Sequence, residues 1–183
     1  MIPKIIHYCW FGGKKLPKDV KKCIKSWKKM CPDYEIVQWN ESNFDVNCCK
    51  FVEKAYKAKA WAFVSDYARL KIIYDNGGIY LDTDVELKRN LDSLLKEECY
   101  FGVQQVGKDI NTGLGFGSVK NNNIIKEMLK IYENIDFEYE NKEEFIEFLK
   151  NKKPVGSTYG YYPDAFTPSF VIWLDDDGTM YAI

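Results

Sequence analysis

At 183 residues the chain is long enough to bury a sizeable core, and one domain spanning residues 1–183 is the expectation. A composition of 46% hydrophobic and 29% charged residues is that of a globular chain, and a formal net charge of -1 makes no general case for nucleic acid. The single histidine, His7, excludes metal sites built on two imidazoles and leaves a Ser/His or Cys/His pair one possible base, so carboxylates must carry the chemistry.

Ile2 to Trp10 predicts a buried first strand closed by Phe11-Gly12-Gly13, with His7 inside it as a hydrogen-bonded core histidine. Trp10, at the strand's carboxyl end and before two glycines, is either a core indole or a platform for a planar ligand. Pro17 to Cys31 predicts an amphipathic helix with Val20, Ile24, Trp27 and Cys31 on one face. Lys18, Lys21, Lys22, Lys25, Lys28 and Lys29 gather opposite, as a solvated face or as a surface for peripheral contact with an anionic membrane.

Tyr34 to Trp39 predicts a second strand and Cys48 to Lys57 a short helix. From Trp61 to Tyr74 nearly every position is apolar or small, which predicts a buried helix stopped by Asn76-Gly77-Gly78. Ile79-Tyr80-Leu81 is then a strand too short for a helix. Leu87 to Leu95 is expected as loop with a short helical piece, and Tyr100 to Gln104 as a strand.

Asn111 to Val119 carries three glycines and is expected as a strand whose small residues let a substrate approach the backbone, with Asn111 as a candidate contact. Ile124 to Ile135 and Lys142 to Leu149 are expected helices, and Pro154 to Pro168 a loop at an acceptor site. Val171 to Leu174 and Thr179 to Ile183 are expected strands around a turn at Asp175 to Asp177. The six cysteines have no C-x-x-C spacing and no secretory segment opens the chain, so free thiols in a reducing cytoplasm are the expectation.

The chemistry concentrates at Asp82-Thr83-Asp84. On an extended segment residues two apart point the same way, so both carboxylates can aim at one spot where a strand ends. Two such charges are costly unless a cation lies between them, and Mg²⁺ or Mn²⁺ takes one or two carboxylates and fills its remaining positions with water and phosphate oxygens. Asp66 and Arg69, three apart in the apolar helix, share a face, either as an internal ion pair or as a clamp for sugar hydroxyls or phosphate.

The strings IPKIIHYCWFGG and SDYARLKIIYDNGGIYLDTDVEL together resemble the glycosyltransferases with a sugar-binding D-x-D region. These are the capsule- and mannosyl-transferase-like enzymes of glycosyltransferase family 32, related to the catalytic domains of large glucosylating toxins. The resemblance implies an α/β fold of GT-A type, with a mixed, mostly parallel central sheet flanked by helices. It also implies a nucleotide-sugar donor, UDP-sugar before GDP-mannose, a Mn²⁺ or Mg²⁺ cofactor, a glycan or lipid-linked acceptor, and retention at the anomeric carbon.

By that similarity Asp82 and Asp84 serve the metal, the diphosphate and the nucleotide ribose. Asp66 and Arg69 hold the donor sugar and Trp10 lies against the base; beside that similarity, Tyr80 is a candidate donor contact and Asn111 a candidate donor or acceptor contact. Bacterial polysaccharide assembly, in the cytoplasm or at the inner membrane face, is the setting it implies. Family members continue with a histidine and a tryptophan that close over metal and diphosphate. Neither has a counterpart here, so either the polypeptide is truncated or other residues finish the site.

Two rival functions stay open. An apolar strand followed by D-x-D-x-V also fits a haloacid dehalogenase-type phosphatase, with Asp82 as nucleophile and Asp84 as general acid, although two strands and a helix precede it here. The other rival is a sugar-nucleotide-binding module without turnover.

Overall fold

The structure, a computed structural model, describes residues 1–104, 111–135, 137, 170–174 and 180–182. Strand β1 (Ile5–Cys9) leads into helix α1 (Lys18–Met30), and β2 (Glu35–Trp39) returns parallel to β1. Helices α2 (Lys50–Lys57) and α3 (Trp61–Asn76) follow, and β3 (Gly78–Tyr80) lies parallel to β1 on its other side. After β4 (Val85–Leu87) and a 3-10 turn at Asp92–Lys96 come β5 (Cys99–Phe101), β6 (Val103–Gln104), β7 (Phe116–Ser118) and α4 (Asn123–Glu133). Strands β8 (Phe170–Leu174) and β9 (Met180–Ala182) pair antiparallel, as the two expected terminal strands.

The first sheet runs β2-β1-β3-β7-β5, with β7 antiparallel to both neighbours, and the second runs β4-β8-β9-β6. The fold is therefore the expected mixed α/β sheet with helices against it. The expected helix Lys142 to Leu149, the loop Pro154 to Pro168 and the turn Asp175 to Asp177 lie outside the described residues.

Side-chain alternation along β1 and β3 sorts the core into two clusters. Ile6 and Tyr8, with Ile79 and Leu81, pack with Cys23 and Trp27 of α1. Cys9 and Tyr80 point the other way, into the cluster with Phe63, Tyr67 and Leu70 of α3. Helix α3 is buried along most of its length because α2 and α4 cover its outer faces, which is why its sequence is apolar nearly all round.

Gly77 ends α3 with φ of +71°, and its backbone N–H returns to the Ile73 carbonyl. His7 then locks this junction. Its Nδ1 lies 3.0 Å from the Trp39 indole N–H, which can only donate, so Nε2 carries the proton and donates to the Gly77 carbonyl at 3.0 Å. The histidine thus ties β2, β1 and the end of α3 together.

Burial pulls the His7 imidazole down to about 4, against the opposing pull of the Gly77 carbonyl. Between there and its ordinary 6.5, the unfolded chain binds a proton that the folded chain refuses. The stability His7 contributes above pH 6.5 is therefore lost as pH falls toward 4. His7→Gln should remove about one proton from the uptake that accompanies unfolding in this window, read from the slope of unfolding free energy against pH. An unchanged slope would show that His7 is not the buried neutral base.

Candidate active site

Because β3 alternates, Asp82 falls on the same side as Tyr80, facing α3. There the Arg69 guanidinium sits between two acids. Its Nη2 is 2.8 Å from Asp66 and 3.4 Å from Asp82, its Nε donates to the Ser65 carbonyl at 3.2 Å, and its plane lies 5.1 Å from the Tyr80 ring. The Arg69 side chain is 8% exposed, Asp66 18% and Asp82 32%, so the guanidinium lies deepest and Asp82 is the most open of the three. The Tyr80 hydroxyl donates to the same Asp82 oxygen at 2.9 Å.

Burial works against the charge on Arg69, but Asp82, Tyr80 and Asp66 outweigh it and hold the group firmly protonated. Asp66 feels the opposite balance. Burial pushes its carboxyl up to about 6, against the pull of Arg69 and with the help of Asp82. Asp84, more open to water, is also raised to about 6, first by the surrounding protein and then by the Asp82 charge.

The D-x-D segment departs from the extended geometry expected of it. Strand β3 ends at Tyr80, and the Val85 N–H closes a turn onto the Asp82 carbonyl at 3.2 Å. Strand alternation therefore places Asp82 alone, and the turn sets Asp84. The two carboxylates are still close enough for one charge to raise the other's proton affinity.

The turn before β7 closes the site from the antiparallel side. The Gly113 carbonyl accepts from the Asp82 N–H, Thr112 Oγ1 accepts from Arg69 Nη1, and Asn111 Oδ1 accepts from the Gly113 N–H at 2.9 Å. A Cβ at Gly113 would lie 2.4 Å from Asp82 Oδ2 and 3.1 Å from both Arg69 Nη1 and Asn111 Oδ1. One at Gly117 would lie 2.5 Å from the Tyr100 ring. Gly113 and Gly117 thus make room for neighbouring protein side chains, a use of small residues different from the expected approach of a substrate.

Trp10 stands just past β1, half-buried, with its N–H donated to the Lys14 carbonyl at 2.6 Å. Since β1 and β3 are parallel neighbours, Trp10 and Asp82 lie beyond carboxyl ends on the same sheet edge, where open α/β sheets bind ligands. Tyr80, expected among the donor contacts, is 1% exposed and its hydroxyl is taken by Asp82, so it holds the site from beneath. Asn111 is half-buried and shapes the Gly113 turn. Gly113 and Thr112 carry no signal in the sequence beyond the run of glycines.

Among the described residues no group of three or more His, Cys, Asp or Glu side chains could enclose a metal ion. The donor set nevertheless fits a hard divalent cation. Two mutually repelling carboxylates at a partly open edge match an ion that draws its other oxygens from water and phosphate. Asp82 and Asp84 are the residues that would hold it.

Removing the guanidinium would leave Asp66 and Asp82 facing each other in a largely buried space. Arg69→Ala should therefore destabilise the fold by about 3–5 kcal/mol, measured by urea unfolding. A cost below about 1 kcal/mol would mean that the ion pair is a solvated surface contact.

Comparison with known proteins shows what this region is similar to. Residues 17–101 match the family described as the glycosyltransferase sugar-binding region containing the DXD motif. Inositol phosphoceramide mannosyltransferase 3 of Schizosaccharomyces pombe is 35% identical over 102 residues, 51% of this chain and 27% of that protein. A glycosyltransferase of Acanthamoeba polyphaga mimivirus is 31% identical over 104 residues, 52% of this chain and 40% of that protein. The chain thus spans less than half the length of these relatives, which are eukaryotic and viral, and bacterial polysaccharide assembly takes no support from them.

Among solved structures, PaToxG glycosyltransferase superimposes with a TM-score of 0.56 at 21% identity, over 70% of this chain and 58% of that one, which shows the shared fold. Asp66, Arg69, Asp82 and Asp84 all fall within the stretch that matches the glycosyltransferase sugar-binding region containing the DXD motif.

Proposed function

We propose that the chain transfers a hexose from a nucleotide-diphosphate sugar to a hydroxyl of a glycan or lipid-linked acceptor, with retention at the anomeric carbon. The observation that carries this is the run of charges Asp66, Arg69 and Asp82 at the carboxyl edge of the sheet, with Asp84 on the adjoining turn. Three acids around one guanidinium leave a net negative cradle. A diphosphate enters such a cradle only with a cation, and a divalent ion bound there would neutralise charge growing on the leaving group.

In this reading Asp82 and Asp84 place the cation. Arg69, already protonated and aligned by Asp66 and Tyr80, orients the sugar end of the donor, and Trp10 offers an indole to the base. Asp66, with its raised proton affinity, accepts a hydrogen bond from a sugar hydroxyl. A UDP-sugar is the first donor to test. The yeast relatives are named as mannosyltransferases acting on inositol phosphoceramide, which adds GDP-mannose as donor and a hydroxyl-rich lipid headgroup as acceptor.

The phosphatase is the second case: Arg69 and the Tyr80 hydroxyl both hold Asp82 Oδ1, and Oδ2 would be the attacking oxygen. Incubation with Mn²⁺ and a panel of nucleotide sugars, followed for released nucleotide, separates the cases. Slow nucleotide release supports transfer, phosphate release from small phosphomonoesters supports the phosphatase, and binding without turnover supports the module. Asp84→Asn should cut metal-dependent nucleotide release by about 100-fold, equivalent to roughly 3 kcal/mol, with the melting temperature of the free protein little changed. Undiminished release would remove Asp84 from the metal site.

A further inference from the structure

Helix α1 carries a second charged feature that the site does not use. At about 100° per residue, Lys18, Lys21, Lys22, Lys25, Lys28 and Lys29 fall within an arc of about 120° on one side, running about 16 Å along the helix. All six are exposed, and Lys14 and Lys15 extend the series toward Trp10. Against these eight lysines, residues 14–29 contain one acid, Asp19, in a chain of net charge -1. Among the described residues only Lys22 of the stripe meets an acid, Glu86 at 3.7 Å.

The opposite face of α1 is committed. Val20, Cys23 and Trp27 are buried, the Trp27 indole donates to the Val85 carbonyl at 2.8 Å, and Ser26 Oγ accepts from the Leu87 N–H at 2.9 Å. The helix therefore cannot roll over and insert apolar residues into a bilayer. Whatever binds the stripe must do so by charge alone.

We propose that this stripe adsorbs the protein onto an anionic lipid bilayer, flat and without insertion. Its chemistry favours headgroups over nucleic acid. The stripe has no arginine to fork onto a phosphate and no exposed aromatic ring to stack on a base, whereas point charges spaced along a flat line suit a fluid array of anionic headgroups. Since Trp10 Nε1 is bonded to the Lys14 carbonyl, the stripe starts beside the carboxyl edge of the sheet, and adsorption would bring the site's rim close to lipid. Adsorption of this kind does not depend on what the site catalyses.

Co-sedimentation with extruded vesicles tests this directly. The full chain should bind vesicles containing 30 mol% phosphatidylserine at about 50 mM salt, ignore pure phosphatidylcholine, and come off at about 300 mM salt. With each lysine worth about fivefold in partitioning, Lys21→Glu, Lys25→Glu, Lys28→Glu and Lys29→Glu together should weaken binding at least 100-fold. The matching quadruple change to Gln should weaken it to an intermediate degree. Circular dichroism of both variants, exposed positions all, should match the parent. No binding at low salt, binding that survives charge reversal in a folded variant, or binding to nucleic acid with none to vesicles would each overturn the proposal.

Discussion

One buried guanidinium, shared between two carboxylates, organises the site. Arg69 lies deep in α3 and would be expensive to bury without partners. Asp66 supplies one from the same helix, and Asp82 supplies another from the end of β3. The arrangement fixes the distance between helix and strand, places the Tyr80 ring beneath the guanidinium, and forces the residue at position 113 to be glycine. It also explains why the site stays negative: the positive charge is already spent on Asp66 and Asp82, so Asp84 and any incoming diphosphate need another one.

Much of this frame can be read from local pattern. The apolar helix, the glycines that stop it, and the short strand that follows depend on neighbours a few residues apart, so Trp61 to Leu81 is legible in the chain itself. The i, i+3 spacing of Asp66 and Arg69 likewise predicts their shared face. The shape of the D-x-D turn was less accessible, since where β3 ends depends on its pairing with β1 and β7. The contact of Gly113 with Asp82 spans 31 positions in sequence, and no periodicity announces it. Tyr80, an expected donor contact, is buried by strand alternation.

The alternation of β1 and β3 also divides the labour of the molecule. One face of these strands meets α3 and carries the acid and guanidinium chemistry. The other meets α1 through Trp27, leaving that helix's lysines outward. An acidic cradle at the sheet edge and a basic stripe along α1 are thus separate electrostatic features set by the same pair of strands. A lipid-linked acceptor would bring them into one reaction, since the surface that holds the protein would also carry the substrate.

The cradle should bind diphosphate only together with a divalent ion, and Mn²⁺ can be watched directly by its paramagnetic resonance signal. Titrated alone into the protein, Mn²⁺ should bind weakly. With a saturating nucleoside diphosphate, UDP or GDP, its affinity should rise at least about tenfold, and the nucleotide's affinity should rise by the same factor when Mn²⁺ is present. Nucleotide that binds equally well with the ion stripped away would contradict the central claim.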